Sequence, residues 1–186
     1  VGDFVARAKP QTVWDLGANT GVYSRITAAQ GALTLSFDLD PAAVERNYLA
    51  CREAGEERLL PLVMDLTNPS PGLGWGHEER SSLLSRGPAD LVLALALVHH
   101  LAISNNLPLP AISTFLRGIC SHLIIEFVPK DDPQVQRLLA TREEIFPEYT
   151  SEGFAAAFAR DFETLASTPV PGASRVIYLM RRRDAS

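Results

Sequence analysis

A chain of 186 residues, 46% hydrophobic and 21% charged, holds enough apolar side chains for one sizeable core and does not require a second domain. Its net charge of −5 lacks the basic balance usual in a stand-alone nucleic-acid binder. No apolar run approaches the roughly 20 residues of a membrane span, and no basic-then-apolar start marks a signal peptide, so a cytoplasmic protein without a membrane partner is expected.

Cys51 and Cys120 have no CxxC spacing and no nearby histidine pair, and read as buried, reduced thiols. Arg181, Arg182 and Arg183 read as a short solvated end. The chain begins at Val1 rather than Met, which fits a domain of a longer protein whose N-terminal part helps to choose a substrate.

Thr12 to Leu16 is short, apolar and β-branched, and predicts the first strand. Val22, Ile26 and Ala29 then recur at helical spacing, with Gly31 closing the helix. Leu33 to Phe37 predicts a second strand. After it Asp40 suits an N-cap and Pro41 the first helical position, while Val44, Tyr48 and Cys51 form one face up to Gly55. Leu59 to Met64 predicts a third strand, ending at Asp65. Between Asp65 and Ala89 lie the turn formers Asn68 to Gly76, with Trp75 among them, and a predicted helix over His77 to Ser85. This connection reads either as a surface loop with Trp75 tucked beneath it or as a lid that contacts substrate.

Ala89 to Val98 is nearly continuous aliphatic residue, the pattern of a central parallel strand covered on both faces, and it runs into His99-His100. Pro110 to Arg117 predicts a helix with Ile112, Phe115 and Leu116 inward; Ile119 to Phe127 predicts a fifth strand; Asp132-Pro133 opens another capped helix. A helix near Ser151 to Arg160 precedes two strand-like runs, Phe162 to Ser167 and Arg175 to Met180. The link between them is too short for a crossover helix, so the two pair antiparallel as a hairpin on an otherwise parallel sheet.

The run Val13-Trp14-Asp15-Leu16-Gly17-Ala18-Asn19-Thr20-Gly21, followed by Ser36-Phe37-Asp38-Leu39-Asp40-Pro41, carries the functional information. It reads as a strand, a tight glycine turn, a helix and a second strand ending in acid, which is how an α/β sheet makes a nucleoside-binding crevice. Asp15 stands at the mouth of that turn. A carboxylate there repels a pyrophosphate but suits a ligand with a sulfonium and an ammonium. The pattern resembles the first motif of the class I S-adenosylmethionine-dependent methyltransferases, and the likeness extends from Thr12 to Met180. The block Leu93 to Ile103, with Leu123 to Lys130, also resembles bacterial methyltransferases described as nodulation-related. An NAD-dependent oxidoreductase is disfavoured by Asp15 and by the lack of a Tyr-x-x-x-Lys pair; a catalytically silent domain that binds cofactor or partner stays open.

The resemblance implies an α/β fold of Rossmann-like, doubly wound type, with a seven-stranded, mostly parallel sheet in the order 3-2-1-4-5-7-6. It implies S-adenosyl-L-methionine as cofactor and a small-molecule or protein methyl acceptor. Gly17, Ala18, Asn19 and Gly21 form the turn whose backbone amides reach the ligand; Asn19 stands where the family has a glycine, and asparagine tolerates the left-handed backbone such a turn needs. Asp38, with Leu39 beside it, is expected to accept from the ribose hydroxyls, in preference to Asp40. Asp65 and Leu66 are expected at the adenine, although Asp65 also reads as a turn aspartate. Ala94 and Leu95 line the methionine side, and Tyr23 either covers the methionyl tail or packs beneath the sheet. His99, His100 and Glu126, at the rim of strands four and five, are the candidates for a base, the histidines reading otherwise as shaping the pocket and Glu126 as a substrate anchor or a loop cap; adjacent histidines on extended chain point to opposite sides. No metal is implied, since no further ligands fall at useful spacing.

Overall fold

The computed structural model describes residues 1–140 and 146–184. Five strands run parallel: β1 (Thr12–Leu16), β2 (Leu33–Asp38), β3 (Leu59–Val63), β4 (Ala89–Ala94) and β5 (Cys120–Phe127). β6 (Phe162–Pro169) and β7 (Val176–Arg182) form the terminal hairpin, and β7 adds antiparallel to β5. The sheet is seven-stranded in the order β3-β2-β1-β4-β5-β7-β6, as the resemblance implied. Helices α2 (Val22–Ala29), α3 (Pro41–Ala54), α5 (Leu109–Ile119), α6 (Pro133–Leu139) and α7 (Ser151–Ala159) fall where spacing and caps place them, Asp40 and Asp132 accepting from Ala42 and Gln134 amides as N-caps. The short helix α1 (Gly2–Ala8) was not foreseen, being too short for periodicity to show, and α4 (Leu83–Arg86) stands at the end of the segment where a longer helix was expected.

Alternation along the strands sorts side chains between two unlike faces. On one, Trp14, Leu16, Val92, Leu123 and Ile125 pack with Ile112 and Leu116 of α5 and Phe154 and Phe158 of α7. On the other, Val13, Leu91, Leu93, Ile124 and Leu179 meet Val5 of α1. Towards β2 this second face turns polar: Ser24 donates to Asp15, the Thr27 and Thr34 hydroxyls pair at 2.8 Å, and Asn47 donates to the Ser36 hydroxyl at 2.9 Å. Consequently α2 buries Ser24 and Thr27 and exposes Val22, instead of turning the Val22, Ile26 and Ala29 stripe inward. α3 likewise buries Ala43 and Asn47 with Val44 and Cys51, and leaves Tyr48 exposed. Each buried hydroxyl or amide has its partner on the sheet, which removes the usual penalty for burying it.

Two further expectations are corrected. β4 stops at Ala94 rather than Val98, because Ala96 takes a left-handed φ of 48° and the chain then winds into a π-helical turn over His100–Ser104. The connection after β3 holds a 3-10 turn at Trp75–His77, and of the helix expected over His77 to Ser85 only the single turn α4 forms, beginning at Leu83; His77 itself has a φ of 62°. Trp75 is 90% exposed, so it is not tucked under the loop.

The aromatic cluster on the apolar face gives a stability test. Phe154 is fully buried, with ring centroids of Phe158 at 4.4 Å, Phe127 at 4.9 Å and Tyr178 at 5.3 Å. Phe154→Ala is expected to cost about 3–5 kcal/mol in denaturant unfolding, and Phe154→Leu much less. A loss for the alanine variant under about 1 kcal/mol would show that the cluster is not closely packed.

Candidate active site

Helices that follow β1 and β4 leave the sheet on opposite faces, which opens a crevice above the carboxyl ends of those neighbouring strands. A cavity of about 1000 Å³ lies there. Its near wall is the turn after β1. Gly17 has a φ of 75°, Asn19 of 50° and Gly21 of 79°, so asparagine does occupy a left-handed position. A Cβ at Gly21 would lie 2.5 Å from the buried Asn47 side chain, which couples the turn to α3. The Gly17 and Ala18 amides both donate to the Phe37 carbonyl at 2.9 Å, holding the turn against β2. Asp38 completes the brace: one oxygen accepts from the Asn19 amide at 2.7 Å and the other from the Asp40 amide at 2.9 Å.

Asp15 forms the floor. It is 2% exposed, and its Oδ2 accepts from the Ser24 hydroxyl at 2.5 Å. Burial pushes its carboxyl up to about 6; the Ser24 hydrogen bond pulls the other way, and the Asp38 charge adds to the rise. A buried carboxylate with so little compensation at the floor of a cavity attracts a cation. At the β3 side Met64, Asp65 and Leu66 line the opening. Asp65 folds back to accept from the amide and hydroxyl of Thr67, which hold its carboxyl below the usual range, so its turn role is realised at the cavity edge.

The far wall is built by Leu95, Ala96, Leu97, His100, Glu126 and Arg175. Glu126 accepts the Ala96 amide at 2.7 Å and lies 3.5 Å from Arg175 Nη1. Arg175 Nε and Nη2 donate to the two oxygens of Asp132 at 2.7 and 3.1 Å, which hold the Asp132 carboxyl below its ordinary value. The histidine pair does not sit on extended chain: His99 is in helical conformation beside the π-turn, and the two rings lie 4.2 Å apart instead of pointing to opposite sides. His100 lines the cavity, while His99 is buried behind it with Nδ1 unpartnered. Burial brings His99 down to about 4, helped by the charges of His100 and Arg175, and burial also lowers His100.

No protein-family model matches the chain. A curated relative, the nodulation protein NoeA of Rhizobium meliloti (strain 1021), is 42% identical over 185 residues, which are 99% of this chain and 39% of NoeA. The chain thus spans about two fifths of that relative. Among solved structures, the magnesium protoporphyrin IX methyltransferase ChlM of Synechocystis PCC 6803 with bound SAH has a TM-score of 0.68 at 16% identity, over 98% of this chain and 80% of that one. The mitomycin 7-O-methyltransferase MmcR has a TM-score of 0.66 at 16% identity, over 98% of this chain and 53% of its own. The chain has the class I S-adenosylmethionine-dependent methyltransferase fold.

On that fold Asp15, Gly17, Ala18, Asn19, Tyr23, Asp38, Leu39, Asp65, Leu66 and Leu95 line the cavity, with His100 and Glu126. Tyr23 is 44% exposed at the rim and does not pack beneath the sheet. Gly21, Ala94 and His99 stand behind the lining. The connection 68–85 contributes nothing to it; the hairpin loop contributes Val170 and Arg175, neither of which carried a local signal. Met64 and Thr67, flanking the aspartate at the end of β3, were readable from that position, whereas Ser104 and Asn105 depend on the π-turn. Among the described residues no cluster of three or more His, Cys, Asp or Glu can hold a metal, and no helix is long and apolar enough to cross a membrane.

Asp15 gives a signed pH test. Its folded value of about 6 lies above the 3.8 of an ordinary aspartate, so its stability contribution is fully present below pH 3.8 and is lost as pH rises through 6. Asp15→Asn is therefore expected to become more stable than the parent across this window, by roughly 2–3 kcal/mol at pH 7. Denaturant midpoints from pH 4 to 7.5 measure it; a difference that does not change with pH would refute a buried carboxylate under strain.

Proposed function

We propose that residues 1–186 form one S-adenosylmethionine-dependent methyltransferase domain acting on a small-molecule or protein acceptor. The observation that carries the reading is the under-compensated Asp15 carboxylate at the floor of a large cavity walled by a left-handed glycine turn. The donor set fits the cofactor. Asp15 is placed for its cationic end, the lone pairs left on Asp38 for the ribose hydroxyls, and Met64, Asp65 and Leu66 for the adenine. Leu39 and Tyr23, both exposed at the rim, are placed to cover it.

When bound, S-adenosylmethionine supplies a methyl group made electrophilic by a cationic sulfur. The chain's own work is positional. The braced turn and the Ala96 turn hold opposite walls of one cavity, so an acceptor entering from the far side is lined up by the fold itself. His100 is the group placed to take a proton where the acceptor carries one, since burial keeps its ring neutral near pH 7 and it faces the cavity. Glu126 is committed to the Ala96 amide and Arg175, and His99 is behind the wall, so neither is assigned that role. The rhizobial relative and two free, buried thiols support a bacterial, cytoplasmic setting.

Calorimetry tests the reading. S-adenosylmethionine is expected to bind and NAD not to. Asp38→Ala removes one or two charge-assisted hydrogen bonds, a loss of roughly 1.5–3 kcal/mol each. Affinity in the parent falls as pH drops through about 6, where Asp15 gains its proton, and this slope is absent in Asp15→Asn. Tight NAD binding with no response to S-adenosylmethionine would sink the assignment. Cofactor binding without methyl transfer from labelled S-adenosylmethionine to metabolite, protein or RNA pools would leave a silent binding domain.

A further inference from the structure

Ala96 is the one alanine with a positive φ among the described residues, at 48°, a left-handed conformation that a side-chain-bearing residue rarely adopts. Something must hold it. Its amide donates to Glu126 at 2.7 Å, and the Leu97 side chain beside it lies 3.4 Å from where a Cβ on Gly17 would stand. This turn therefore reaches the glycine turn across the cavity. Glu126 is itself 7% exposed, and it pairs with Arg175 at 3.5 Å. Arg175 comes from the far end of the chain, in the β6–β7 loop, which is pinned to the start of α6 by the paired bonds to Asp132 and by Ser174 donating to Asp131 at 3.3 Å.

We propose that Arg175 is a positioning residue for the methyl-donor side of the cavity: it holds Glu126, and through it the Ala96 amide, in the turn that shapes the wall after β4. The inference rests on the methyltransferase reading of the cavity. Arg175 is not an anion receptor for an acceptor, because two carboxylates already face its guanidinium and leave the trio with a net negative charge. Its planar fork gives Asp132 two bonds and still turns Nη1 to Glu126, a fixed geometry that a point-like ammonium does not reproduce.

The test measures S-adenosylmethionine and S-adenosylhomocysteine affinity by calorimetry, and hydrogen exchange at the Ala96 amide, in Arg175→Met, Arg175→Lys, Glu126→Gln and the Arg175→Met/Glu126→Gln pair. Arg175→Met is expected to weaken both ligands about tenfold and to speed Ala96 exchange by a similar factor. Arg175→Lys recovers only part of each, and Arg175→Met adds less than about twofold in the Glu126→Gln background. A folded Arg175→Met protein with parental affinity and parental Ala96 exchange overturns the proposal, even if its melting temperature falls. Should that variant not fold, Arg175→Lys decides by the same two readings, with parental values again overturning it. A parent that binds neither ligand defeats the methyl-donor reading, and Ala96 exchange then separately shows whether Arg175 holds the turn.

Discussion

A carboxylate taken out of water costs several kcal/mol unless charge or hydrogen bonds replace the solvent, and Asp15 is 2% exposed with the Ser24 hydroxyl against it. Much of the surrounding architecture follows from keeping it there. Ser24 sits on α2, so α2 must turn a polar face to the sheet, and the Thr27–Thr34 and Asn47–Ser36 pairs extend that polar layer into β2 and α3. Asn47 in turn crowds Gly21, which excludes a side chain from the end of the glycine turn. The site's geometry and the packing of two helices are thus one hydrogen-bonded unit.

The acids around the cavity divide their work by how many protein donors each already has. Asp38 receives two backbone amides and so pre-sets the turn, at the expense of lone pairs that a ligand would otherwise use. Asp65 turns one oxygen to Thr67, and Glu126 spends one on Ala96. Only Asp15 is left short of compensation, and that is the position where a cation gains most. A site rigid in its walls and under-satisfied in its floor loses little ordering entropy when the missing charge arrives.

The strands, the terminal hairpin and the capped helices were legible because burial on both faces writes continuous aliphatic runs, and because caps and short links are local chemistry; the strand order came with the family resemblance. Asp15, the glycine turn and Asp38 were legible for the same reason: they lie within a strand, a turn and a strand of adjacent sequence. The inward faces of α2 and α3 were not. Hydrophobic spacing selected Val22 and Tyr48, whereas the sheet beneath them offers Asp15, Thr34 and Ser36 and so selects Ser24, Thr27 and Asn47. The end of β4 was misread for a different reason: Leu95 to Val98 is as aliphatic as the strand before it, and only Glu126, thirty residues later, fixes the Ala96 turn that breaks the extended chain and stacks His99 on His100. Trp75 drew attention as the one aromatic in a turn-rich segment, yet it faces solvent.

The contribution of the hairpin follows from strand direction. A crossover delivers the beginning of a parallel strand to the end of the sheet away from the cavity, so residues that start parallel strands cannot reach it. β7 runs the opposite way, and its first residue, Val176, stands opposite Phe127, at the end of β5. Its preceding loop therefore lies at the cavity rim, and both Val170 and Arg175 enter the lining from there. A single reversal of direction in the sheet lets the last part of the chain touch what the first part builds, and it makes the short loop 170–175, in place of the longer connection 68–85, the segment where a change of sequence acts directly on the far wall.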